Sequence, residues 1–85
     1  KDDTIEGLLL EFADKLDQVY EAFAELKRGN TDKEFVFMYE NALRKLLAIP
    51  LKHTVNYFKG HILKDLMNEE TQIDIKKITL NVLNP

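Results

Sequence analysis

An all-α fold, an antiparallel three- to four-helix bundle, is what this sequence predicts. Three observations predict it. Apolar residues recur at alternating steps of four and three over long stretches. Helix-start patterns stand before the first two of those stretches. Gly and Pro number only three and two in 85 residues, as expected where most of the chain is regular structure. A fragment of an α-solenoid is the runner-up, because helices in such arrays also carry apolar residues on more than one side.

The first helix is expected over residues 4–28. Asp3 and Glu6 have the D-x-x-E spacing of a capping box. Ile5, Leu9, Phe12, Leu16, Val19, Phe23 and Leu26 then form one apolar seam held for three heptads. Glu11, Asp14, Asp17, Glu21 and Glu25 fall off that seam, so the outer face is acidic. Gly29 suits the left-handed position that often ends a helix.

A second capping box, Thr31 to Glu34, opens the next helix, which runs to about Ile49. Phe35, Tyr39, Ala42, Leu46 and Ile49 form its stripe, and Val36 and Leu43 widen it, as suits packing on two neighbours. Pro50 has no N–H and clashes with a helix interior, so either a sharp turn with Pro50 in the first turn of helix three or a kink is expected there, the turn favoured because two short antiparallel helices bury more than one long bent one. Helix three is expected from about Leu51 to Met67, with Leu51, Val55, Phe58, Ile62 and Leu66 on one face. Gly60 lies inside it, at a cost of about 1 kcal/mol relative to Ala, and marks either a close helix contact or a bend. The last segment reads as a helix from Gln72 to Leu83, with Thr71 and Asp74 as a weak capping box. Its β-branched residues and local alternation also fit a strand, but a lone strand would have no partner in a helical domain.

Composition bounds the rest. With 45% hydrophobic and 32% charged residues, the chain has enough apolar content to fold. It reads as a single helical domain over 1–85, and Lys in place of Met at residue 1 leads to the expectation of a piece cut from something longer. No apolar run nears the roughly 20 residues that cross a bilayer, and no signal peptide opens the chain. With no Cys, disulfide and Cys-ligated zinc scaffolds are excluded. An intracellular, cytoplasmic setting is expected.

Few residues promise chemistry. Ser and Cys are both absent, which removes the two commonest nucleophiles. His53 and His61 are eight apart, whereas two ligands on one helix want a spacing of three or four. No HExxH, GxxxxGK[ST] or GxGxxG occurs. The sequence therefore predicts no catalytic residue, no metal, no cofactor and a chain that is not an enzyme.

Charge is laid out unevenly. Residues 1–26 carry eight carboxylates and two Lys, whereas 41–64 carry five Lys or Arg, two His and no carboxylate, in a chain of net charge -3. On helix three, His53, Tyr57, His61 and Lys64 are expected on one outer stripe, and Lys52, Asn56, Lys59 and Leu63 on a second. The plain explanation is that acidic and basic flanks help choose which helices neighbour each other. Exposed apolar groups add a second signal. Leu10, Phe37, Tyr57, Leu63 and Met67 fall off the main stripes, and that many suggests an extra neighbour: a further helix, a second protomer or a partner protein.

The predicted function is a non-catalytic protein–protein interaction or assembly module within a larger protein or complex. Phe37, Tyr57, Leu63 and Met67 would anchor the partner, while Arg44, Lys52, Lys59 and Lys64, with His53 and His61, would steer an acidic one. The alternative is a phosphate-binding surface for nucleic acid or anionic membrane through 41–64, disfavoured because such modules usually have a basic overall balance.

Overall fold

The computed structural model describes residues 4–30, 32–68 and 74–84. All the regular structure among them is helical: α1 (Ile5–Lys27), α2 (Lys33–Leu47), α3 (Lys52–Tyr57), a π-helical turn (Phe58–Ile62), α4 (Leu63–Asn68) and α5 (Ile75–Leu83). The π turn and its two flanking helices follow without a break, so they make one rod, and the described residues form a bundle of four rods.

Helix ends form where the local chemistry satisfies free backbone groups. Thr4, not Asp3, caps α1: its Oγ1 accepts from the Gly7 N–H at 3.1 Å. Asp3 lies outside the described residues. At the other end Gly29 adopts φ 93°, donating to the Leu26 carbonyl at 3.1 Å while the Asn30 N–H reaches the Glu25 carbonyl at 3.0 Å. This paired closure needs a left-handed residue, which Gly adopts without a Cβ clash. Asp32, not Thr31, is the N-cap of α2, and no side chain caps it. The Asp32 carbonyl instead accepts from the Phe35 and Val36 N–H groups at 3.0 and 3.4 Å. Thr31 lies outside the described residues.

Pro50 makes a turn, as expected, but stands ahead of α3 and not inside its first turn. Pro50 has no N–H to donate back into α2, and the Leu51 N–H closes a tight turn onto the Ile49 carbonyl at 2.8 Å.

The π turn corrects the sequence reading of the third rod. Leu63 donates to the carbonyl of Phe58, five residues back. One extra residue in the turn rotates everything after it by about 100° relative to an uninterrupted α-helix. Val55 and Phe58 face inward before the turn, and Leu63 and Leu66 after it. Leu63, expected on an outer stripe, is therefore 2% exposed, while Ile62, expected in the core, is only half-buried. A Cβ on Gly60 would meet nothing within 4 Å, so Gly60 serves no close helix contact and belongs to the irregular turn.

The final segment is a helix, shorter than expected. It begins at Ile75, capped by Asp74 Oδ1, which accepts from the Lys77 N–H at 3.1 Å. Thr71, Gln72 and Ile73 lie outside the described residues.

The main core joins Val19, Phe23 and Leu26 of α1 to Tyr39, Leu43 and Leu46 of α2, Phe58, Leu63 and Leu66 of the third rod, and Ile75 and Val82 of α5. Each large aliphatic or Phe side chain buried this fully contributes about 1.5–3 kcal/mol. Phe12 meets Phe58 edge to face, with centroids 6.3 Å apart. Tyr39 and Thr79, both fully buried, share a 3.0 Å hydrogen bond that ties α5 to α2.

The two longest helices do not match in length. At 1.5 Å per residue α1 is about 34 Å long and α2 about 22 Å. α1 therefore overshoots α2 by about two turns, and the α1 seam leaves the core at its N-terminal end. Val19, Phe23 and Leu26 are buried and Phe12 and Leu16 half-buried, but Leu9 is 44% and Ile5 69% exposed. The expected seam holds from Phe12 onward; before it the buried position is Leu8, 8% exposed, and Ile5 and Leu9 turn to water.

Candidate functional site

Two surfaces carry the chemistry this fold offers. The first is the outer face of the third rod. Lys52 and His53 start α3, Tyr57 ends it, Lys59 and His61 lie in the π turn, and Lys64 follows in α4; all six are exposed. The Tyr57 and His61 rings face each other with centroids 4.5 Å apart and a 32° tilt. Two of the four members of the predicted stripe are thus stacked on each other. The stack offers a flat π-surface among cations, suited to a planar or anionic group.

The remaining predicted site residues scatter. Phe37, 63% exposed, sits on α2. Arg44 is exposed on α2 and pairs with Glu40 at 3.6 Å; with Leu47, Ala48 and Val82 it lines a shallow groove. Met67 is half-buried and packs against the core. Leu63 is buried and is not available to a partner.

Ion pairing bears on the plain explanation of the charge layout. The pairs Lys15–Asp14, Arg28–Glu25 and Arg44–Glu40 each lie within one helix. Among the described residues Lys45, Lys52, Lys59 and Lys64 have no carboxylate within 4 Å. The acidic flank of α1 and the basic flank of 41–64 are not joined by an ion pair there.

The second surface is the overhang of α1, where Ile5, Leu9 and Leu10 are exposed and Glu6, Leu9 and Leu10 line a groove. Sequence reasoning flagged Leu10 and missed Ile5 and Leu9, because both lie on the heptad seam. The missing signal was the drift of a straight α-helix from a strict heptad: in the first two turns the buried position is Leu8, and Ile5 and Leu9 face outward.

Among the described residues, Tyr39 has its ionisation perturbed by the fold. Burial pushes its phenol above the ordinary tyrosine range, and the hydrogen bond with Thr79 opposes that shift in part. Among the described residues no three His, Cys, Asp or Glu come together in a way that could hold a metal ion, and no helix is long and apolar enough to cross a membrane.

The sequence profile of a family described as 5'-deoxynucleotidase YfbR-like matches residues 1–66. The chain belongs to the YfbR-like family. No curated protein and no solved structure matches it. The YfbR-like match takes in α1, α2, α3, the π turn and the first part of α4, including all of 41–64. α5 lies beyond the match, although it completes the core through Ile75, Thr79 and Val82.

Proposed function

We propose that this chain is a non-catalytic helical assembly module of a YfbR-like, deoxynucleotide-handling protein: it supplies framework and docking surface, and the hydrolytic groups come from elsewhere. The observation that carries this reading is the set of large apolar side chains left in water on separate helices: Ile5, Leu9 and Leu10 on α1, Phe37 on α2 and Tyr57 on α3. A bundle of this size that stood alone would gain by covering them. Phosphate-ester hydrolysis calls for an oriented nucleophile and for positive charge placed where anionic charge develops. The described residues offer cations, but no nucleophile paired with a base.

The test is release of inorganic phosphate from deoxynucleoside 5'-monophosphates by the purified chain, with Mg²⁺, Mn²⁺ or Co²⁺ added in turn. The expected result is no release above the protein-free blank. Release proportional to protein concentration would overturn the non-catalytic reading.

A second reading has its own support. Lys52, Lys59 and Lys64, which have no carboxylate partner among the described residues and lie on the same rod as the Tyr57–His61 stack, fit a phosphate-bearing ligand, with the stack taking a base and an ammonium group its phosphate. Binding of this kind weakens with salt at a log–log slope of about -0.7 per phosphate neutralised on single strands. Fluorescence titration of an oligodeoxynucleotide at several salt concentrations, with Lys52→Glu/Lys59→Glu as comparison, tests it. A flat salt response, or unchanged binding by the variant, excludes it.

A further inference from the structure

The overhang of α1 is the best-defined uncovered surface of the fold. Its first two turns present Ile5, Leu9 and Leu10, 69%, 44% and 73% exposed. Ile5 and Leu9 lie on the heptad seam and Leu10 beside it, while Leu8 in the same turns is buried, so the uncovered patch is one side of these two turns, with the i, i+4 spacing that packs against a helix. Its rim is acidic. Glu6 and Asp17 are exposed and Glu11 half-buried, and Asp14 is exposed, within reach of Lys15 and Gln18 at 3.3 and 3.2 Å. Residues 5–17 carry four carboxylates against one Lys.

These observations choose among occupants. A second copy meeting ridge to ridge across a two-fold axis would set the same acidic rim against itself. A helix whose apolar stripe is edged by Lys or Arg answers both features of the ridge: leucines cover Ile5, Leu9 and Leu10, and the cations lie along Glu6 and Glu11.

We infer that the first two turns of α1 are the docking site for a cationic amphipathic helix from a partner protein. This rests on the assembly-module reading and gives it a surface and a partner chemistry. The affinity comes from the leucine-lined ridge, and the acidic rim selects the sign of the partner.

The probe is a fluorescein-labelled 18-residue helical peptide with leucines at i, i+3, i+4 and i+7 and lysines on both flanks, compared with a twin carrying glutamates there. Fluorescence anisotropy should show at least tenfold tighter binding of the lysine peptide. Ile5→Ser/Leu10→Ser should weaken that binding at least tenfold, while Phe37→Ser, which removes an exposed apolar group on another helix, should change it less than twofold. Glu6→Lys/Glu11→Lys should reverse the preference between the twins. Far-ultraviolet circular dichroism confirms that each variant folds. Equal binding of the two peptides, or equal loss in the Phe37 variant, overturns the inference. So does a dimer by light scattering that Ile5→Ser/Leu10→Ser dissociates, since a second copy would then be the occupant. The two proposals fail separately. Phosphate release would remove the non-catalytic reading and leave the ridge as a docking site. Indifference between the peptides would remove this site and leave docking through Phe37 and Tyr57 open.

Discussion

Replacing Thr79 by Val should destabilise the protein more than removing the hydroxyl of its partner Tyr39. The two side chains are nearly isosteric at position 79, so packing is preserved and the change isolates one hydrogen bond. In Thr79→Val the Tyr39 phenol stays in a fully buried site and loses its 3.0 Å partner. A buried polar group left unpaired costs about 1–3 kcal/mol. In Tyr39→Phe the orphaned group is the Thr79 hydroxyl, which sits on a helix and can turn to the carbonyl four residues back, at Ile75. That loss should be near the net worth of one hydrogen bond, about 0.5–1.5 kcal/mol. The double variant should resemble Tyr39→Phe alone, because no polar group is left without a partner. Urea unfolding followed by circular dichroism at 222 nm measures all three. At about 4–8 °C per kcal/mol for a domain of this size, a 2 kcal/mol loss also lowers Tm visibly. Thr79→Val within 0.5 kcal/mol of the parent, or strict additivity in the double variant, would refute the reasoning.

Three further outcomes follow from the same structure. Leu63→Ala should cost about 2–5 kcal/mol as a core truncation, and Ile62→Ala clearly less; chemical denaturation giving the opposite order would contradict the register shift in the π turn. Gly29→Ala should lose about 1–2 kcal/mol through its left-handed backbone, whereas Gly60→Ala should gain up to about 1 kcal/mol, since the added methyl meets nothing within 4 Å; thermal melts separate the two. Tyr39 holds its proton to higher pH folded than unfolded, so its contribution to stability is intact below the free tyrosine value near 10 and declines as pH rises past it; in tyrosinate absorbance at 295 nm, a late-ionising phenol should be present and should vanish in Tyr39→Phe.

Much of the bundle was legible in the sequence because its signals are local. Gly29 read correctly as a left-handed helix end, Pro50 as a turn, and the α1 seam as facing inward from Phe12 to Leu26, half-buried at Phe12 and Leu16 and buried from Val19. What escaped depends on more than one element. The π turn has no signature in apolar spacing, since Val55, Phe58, Ile62 and Leu66 keep a good α-helical period; Gly60 marked an irregularity without giving its sense, and Leu63 and Ile62 were exchanged as a result. The exposure of Ile5 and Leu9 beside a buried Leu8 reflects the drift of a straight helix away from a strict heptad, which a seam drawn at steps of four and three does not show. Both caps fell one residue later than the D-x-x-E and T-x-x-E patterns placed them: Thr4 caps α1 with its side chain, and Asp32 takes the N-cap position of α2 through its backbone carbonyl alone. The aromatic stack survived the register change because Tyr57 and His61 still sit one turn apart, whereas Arg44, Phe37 and Met67 belong to other surfaces.

The central claim is that one side of the first two turns of α1, carrying Ile5, Leu9 and Leu10, lies in water while Leu8 in the same turns is buried. The chain has no Cys, so single cysteines report on this directly. Leu10→Cys and Ile5→Cys should react with a water-soluble maleimide at nearly the rate of a free thiol, while Val19→Cys, on the buried part of the same helix, should be strongly protected. Protection at position 10 matching that at position 19 would contradict the account.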